Sequence, residues 1–135
     1  MTIKGSDKAA PAVAPLLRRR ILVVDDNRDY ADSLAELLHR HGADVVVRYD
    51  GERALDALKT FCPSVALVDI GLPEMDGYEL ARRLRATGGD LTIISLTGWG
   101  REKDRRLSKA AGIDHHLIKP VDFEFLVSLL TSLDG

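Results

Sequence analysis

A single cysteine, Cys62, stands in 135 residues. It cannot form an internal disulfide, so the chain suits a reducing cytoplasm. A domain of this length buries about 68–70% of its unfolded surface, so its stability requires neither a disulfide nor a structural metal. Neither sign of charge prevails: 19 Lys and Arg against 21 Asp and Glu give a formal net charge of −2. The electrostatic footprint of a nucleic-acid or anionic-membrane binder is therefore missing, and neither direct nucleic-acid binding nor membrane insertion is expected. No apolar run approaches the roughly 20 residues that a membrane-spanning helix needs. Glycine-rich phosphate loops are missing too. Neither GxGxxG nor GxxxxGK[ST] occurs, which argues against dinucleotide and P-loop nucleotide binding. The stretch AAPAVAPLL (Ala9–Leu17) carries two prolines and runs straight into Arg18-Arg19-Arg20, a poor match to a secretory signal.

Residues 1–17, rich in Ala, Pro and Lys, read as a flexible tail or linker, and residues 18–135 as one domain. Within it two kinds of segment alternate. Short apolar or β-branched runs predict strands at Ile21–Val24, Asp44–Arg48, Val65–Asp69, Leu91–Thr97 and His115–Lys119. Helical spacing of apolar residues predicts helices at Asp29–His41, Glu52–Thr60, Tyr78–Ala86, Arg101–Ala111 and Asp122–Leu133, with Asp122 as an N-cap. Five β-α units with short connections imply an α/β fold, a parallel sheet with helices on both faces. The first, third and fourth strands are continuous apolar runs, as a sheet covered on both sides requires.

In a parallel sheet every strand points the same way, so the carboxyl ends share one edge, where open α/β sheets bind ligands. The predicted strands end there in Asp25-Asp26, Asp69, Thr97 and Lys119-Pro120. Any one polar residue at a strand end is commonplace, since Asp often closes a strand. Three carboxylates, a hydroxyl and an ammonium on four strand ends are harder to ascribe to packing. Close carboxylates repel by several kcal/mol at protein-like dielectric, and a cation relieves that repulsion. Hard oxygen ligands suit Mg²⁺ or Mn²⁺, with the remaining coordination met by water and phosphate oxygens. The Thr and Lys suit the other oxygens of a phosphoryl group, and one carboxylate can act as a nucleophile.

With ILVVDDN (Ile21–Asn27), VDIGLPEMDGYEL (Val68–Leu80), SLTG (Ser95–Gly98) and HHLIKP (His115–Pro120), the chain resembles the receiver domain of bacterial two-component response regulators over about residues 20–133. The resemblance implies a flavodoxin-like (βα)5 sandwich with strand order 2-1-3-4-5. It implies that Asp69 accepts a phosphoryl group from a sensor histidine kinase or histidine phosphotransfer protein. Asp26 and the backbone carbonyl of Gly71 would ligate Mg²⁺, with Asp69, and Asp25 would hold metal-bound water. Lys119 would pair with Asp69, Thr97 would bind a phosphoryl oxygen, and His116 would take the place of the aromatic switch residue. The Lys119–Pro120 peptide would be cis. Phosphorylation would alter the face formed by the fourth helix, fifth strand and fifth helix, about residues 100–132, toward an unknown target. Such a protein is a phosphoacceptor that assists its own phosphotransfer and dephosphorylation rather than a turnover enzyme.

Two other classes compete. A receiver fold acting as a phosphate-independent interaction module typically loses an acid, the Thr or the Lys, and all are present here. A haloacid-dehalogenase-like phosphatase ends its first strand in D-x-D-x-T or D-x-D-x-V, whereas here Asp25-Asp26-Asn27-Arg28 follows. The histidines do not converge on a metal: His39 and His41 lie two apart on a helix, and His115 and His116 point to opposite faces of a strand. Cys62 reads as inert, Leu72 and Met75 as packing residues, Trp99 as a loop residue that either borders the site or serves packing, and Arg101–Arg106 as a solvated helix face with partner contact as its competing role. The chain is compatible with a stand-alone regulator, with the receiver of a hybrid kinase and with the receiver of a longer regulator.

Overall fold

A computed structural model of the chain describes residues 17–72, 75–98 and 109–133. Pro73, Trp99, most of the tail and the helix expected from Arg101 up to residue 108 lie outside them. The elements are β1 (Arg20–Val24), α1 (Arg28–Arg40), β2 (Asp44–Arg48), α2 (Gly51–Phe61), β3 (Val65–Asp69), α3 (Gly77–Gly88), β4 (Thr92–Thr97), β5 (His115–Ile118) and α4 (Phe123–Ser132). All strand pairings are parallel, in the order β2-β1-β3-β4-β5.

Strand β1 runs between β2 and β3 as RILVV, and its four apolar residues are fully buried. Their alternation divides the core in two. Leu22 and Val24 join Ala66, Val68 and Ile93 under α2 and α3. Ile21 and Val23 join Val65, Leu67, Ile94 and Leu96 under α1 and α4. Period-2 side-chain alternation in a sheet clad on both sides produces these two layers.

The helices begin on short acceptor side chains. Asn27, Asp50, Asp76 and Asp122 each accept a hydrogen bond from the backbone N–H three residues on, satisfying donors that a helix start leaves without an intrahelical partner. Helix α3 runs two residues past the expected stop at Ala86 and ends at Gly88, since glycine weakens a helix without forbidding it.

Leu17, at the expected end of the tail, is buried in the α1/α4 layer, and its N–H donates to His41 O at 2.8 Å. The arginine run also has a structural use. Arg19 donates through Nε to Leu130 O at 2.9 Å and through its terminal nitrogen to Leu133 O. It thereby caps carbonyls at the end of α4 and ties the two ends of the domain together.

Candidate functional site

The carboxyl ends of β1 and β3 deliver the three acids to one point. Asp25, Asp26 and Asp69 offer carboxylate oxygens that all lie within 4.8 Å of one another. Their environments differ. Asp25, which follows the buried strand β1, is itself completely buried, Asp26 is exposed and Asp69 is half-buried. Both oxygens of Asp25 are engaged: Asn27 N–H donates to Oδ1 at 2.9 Å and Lys119 Nζ donates to Oδ2 at 2.7 Å.

Lys119 arrives from just beyond β5, on the far side of β4. Its backbone N–H donates to Thr97 O at 2.7 Å, and its peptide bond to Pro120 is cis. The ammonium lies 3.7 Å from Asp69 Oδ2, a full ångström farther than from Asp25. The pairing expected with Asp69 is thus secondary in this geometry. A fully buried carboxylate lacks water to solvate it and takes the nearest cation. Tyr30, on α1, completes the pocket with its ring 4.7 Å below the ammonium, a cation–π contact. Helical periodicity places Tyr30 on the apolar stripe, but no sequence signal brings it under Lys119.

Asp69 Oδ1 accepts from Gly71 N–H at 3.0 Å. Burial holds the Asp69 carboxyl above the usual carboxylate range; the Gly71 hydrogen bond opposes this, the Asp25 charge adds to it and Lys119 opposes it. For Lys119, burial alone would lower the pKa, but the Asp25 hydrogen bond and the charges of Asp69 and Asp25 hold it above the usual lysine value. The pocket is therefore short of positive charge. Hard carboxylate oxygens from three residues, all within 4.8 Å of one another, fit a divalent cation.

Gly77 permits the loop after β3 to close. A Cβ there would lie 2.5 Å from Ile70 Cα and 2.8 Å from Asp69 O, and Gly77 N–H donates to Ile70 O at 2.9 Å. Leu72 is buried, and Met75 packs on the same layer against Gly51.

Thr97 ends β4, one register step beyond the Leu96 that faces Asp69. His116 lies in β5 opposite Ser95, and its Nδ1 is 2.6 Å from Ser95 Oγ. Ser95 is wholly buried. Its signal in the sequence is faint, one hydroxyl inside the apolar run of β4, with nothing to indicate its partner.

Residues 21–131 match the family model of the response regulator receiver domain. The chain belongs to the response regulator receiver family. Its role is phosphorelay signalling, and the acidic pocket fits phosphorylation of an aspartate. Response regulator MprA of Mycobacterium avium is 39% identical over 114 residues, which are 84% of this chain and 50% of that protein. This receiver spans about half the length of the curated relatives it matches. A Burkholderia pseudomallei response regulator, solved with a phosphorylated aspartic acid, calcium ion and citrate, superposes with a TM-score of 0.79 at 28% identity, covering 84% of this chain and 67% of that one. The receiver domain of a DNA binding response regulator from Colwellia psychrerythraea gives 0.77 at 26% identity, covering 83% and 94%. That neighbour belongs to a DNA binding response regulator, so the expected absence of nucleic-acid contact has no support from the relatives. Receivers take divalent metal in this pocket and are phosphorylated by histidine kinases. Among the described residues no helix is long and apolar enough to cross a membrane.

Proposed function

We propose that Asp69 is the phosphoacceptor of this receiver and that its donor is a phosphohistidine on a sensor kinase or phosphotransfer protein. The observation that carries the reading is the convergence of Asp25, Asp26 and Asp69 within 4.8 Å, with Lys119 reaching both Asp25 and Asp69. Asp25, Asp26, Asp69 and the Gly71 carbonyl would hold Mg²⁺, which when bound supplies positive charge against the acids and the transferring phosphoryl oxygens.

An Asp69 carboxylate oxygen attacks phosphorus while the P–N bond of the phosphohistidine breaks. The electron pair of that bond stays on the imidazole nitrogen, and the product is an acyl phosphate on Asp69. Strand β3 holds Asp69 as a rigid post, with Oδ1 fixed by Gly71 N–H, so Oδ2 faces Lys119. Lys119 balances charge on the transferring group, the Thr97 hydroxyl donates to a phosphoryl oxygen, and His116 follows Thr97. The face around residues 100–132 changes toward its target. Switching a population from 1:99 to 99:1 takes about 5.5 kcal/mol. Two or three charge-assisted hydrogen bonds at about 1.5–3 kcal/mol each supply it. The receiver occupies residues 17–135, acts in the cytoplasm and assists its own phosphotransfer and dephosphorylation without turning over a separate substrate.

The test is intact mass after incubation with a small-molecule phosphodonor and Mg²⁺. One phosphoryl adduct is expected, lost in Asp69→Asn and in EDTA. An adduct of equal yield on Asp69→Asn would refute the assignment.

A further inference from the structure

Among the described residues only two polar or charged side chains are fully buried, Asp25 and Ser95. The acidic pocket accounts for the first. Ser95 lies inside a strand whose neighbours Ile93, Ile94 and Leu96 are all buried apolar residues. A hydroxyl there is costly unless it is hydrogen-bonded, and its partner is His116 Nδ1 at 2.6 Å.

The placement of this pair relative to Thr97 gives it significance. Residues i and i+2 of a strand share a face, so Ser95 and Thr97 stand on the same side of β4. In the parallel register Ser95 faces His116 and Thr97 faces Ile118. The four residues share one face of the β4–β5 pair, with the imidazole drawn toward β4 two residues before Thr97. His116 Nε2 is also shielded from solvent, so the ring lies inward.

We infer that Ser95 is a positioning residue of the switch: its hydrogen bond holds the His116 ring inward beside Thr97 and so favours the phosphoryl-bound conformation. This rests on the role proposed above for Thr97 and His116. A ligand shifts a conformational equilibrium only through its different affinity for the two states, and a bond present in one state alone biases that equilibrium. Ser95 acts through His116, to which its hydroxyl is hydrogen-bonded. Loss of one neutral hydrogen bond corresponds to a change of about two- to tenfold in an equilibrium constant.

The experiment is a calorimetric titration of beryllofluoride, in Mg²⁺, into wild type, Ser95→Ala, His116→Phe and the double variant, with the unfolding midpoint of each protein measured alongside. Ser95→Ala is expected to weaken binding about two- to tenfold in the wild-type background and to leave it unchanged in the His116→Phe background. A residue that served only packing would lower the unfolding midpoint in both backgrounds without this coupling in affinity. Wild-type affinity or tighter binding in Ser95→Ala, or the same loss in both backgrounds, would overturn the inference alone. No binding by wild type, with no phosphoryl adduct on Asp69, would overturn the acceptor reading and the inference with it.

Discussion

Replacing Lys119 by Met keeps most of the aliphatic stem and deletes the charge. In the folded protein this strips the completely buried Asp25 carboxylate of its cation, while the Asn27 N–H bond to it stays in place. At an effective dielectric of 20 the gross attraction is about 6 kcal/mol for the 2.7 Å pair with Asp25 and about 4.5 kcal/mol for the 3.7 Å pair with Asp69. Desolvation of the ions takes back several kcal/mol, so the net loss expected is about 3–5 kcal/mol, as for other buried pairs broken from one side. Lys119 has its folded pKa raised. Its contribution is therefore fully present below the unfolded value of 10.5 and is lost as pH rises through the folded value. The assay is urea unfolding followed by circular dichroism at pH 7 in EDTA, applied to wild type, Lys119→Met, Asp25→Asn and the double variant. Asp25→Asn should cost less than Lys119→Met, since Lys119 keeps Asp69 as a partner and part of its exposure. The double variant should be more stable than the sum of the single losses predicts, by about 2–3 kcal/mol. A loss below about 1 kcal/mol in Lys119→Met, with additive single effects, would show that the ammonium is not the counter-charge of Asp25.

The folded pKa of Asp69 is raised, so its stabilising contribution is present below the unfolded value of 3.8 and declines as pH rises through the folded value; in EDTA, Asp69→Asn should therefore gain stability relative to wild type between acid and neutral pH, and parallel pH–stability curves would contradict this. Gly77→Ala should cost about 1–3 kcal/mol or more in thermal unfolding, because its Cβ meets backbone at 2.5 and 2.8 Å, and a neutral effect would mean that the loop after β3 yields freely. Asp50→Ala should cost about 0.5–2 kcal/mol as a lost N-cap. The Arg53 N–H bond lowers the Asp50 pKa, so the cost should be full above pH 3.8 and shrink as pH falls through the folded value, which denaturation at pH 7 and pH 3 would reveal.

Much of the site is local in origin. Each of Asp25, Asp69 and Thr97 lies at or beside the end of a short apolar strand, and a parallel sheet must bring such ends to one edge. The residue types and their strand positions therefore sufficed to nominate the acids, the hydroxyl and the lysine, and apolar periodicity sufficed for the α/β class and most element bounds. Cap chemistry was equally legible at Asp122.

Other features were decided only when the elements packed. Lys119 and Asp25 are 94 residues apart, and their 2.7 Å contact exists because β5 and β1 flank the β3–β4 pair at the same edge. Which acid the ammonium prefers follows from burial, a property of the assembled sheet, and so the preference for Asp25 over Asp69 is invisible in the motif. Tyr30 under Lys119, Arg19 on the end of α4, Leu17 in the core and Ser95 against His116 share that origin. Each is a contact between residues distant in the chain, set by register and by helix docking. The sequence alone determined which chemical groups stand at the strand ends, because that depends on near neighbours. The tertiary structure decided which groups touch and how deeply each is buried, because hydrogen bonding and desolvation depend on partners that the chain supplies from far away.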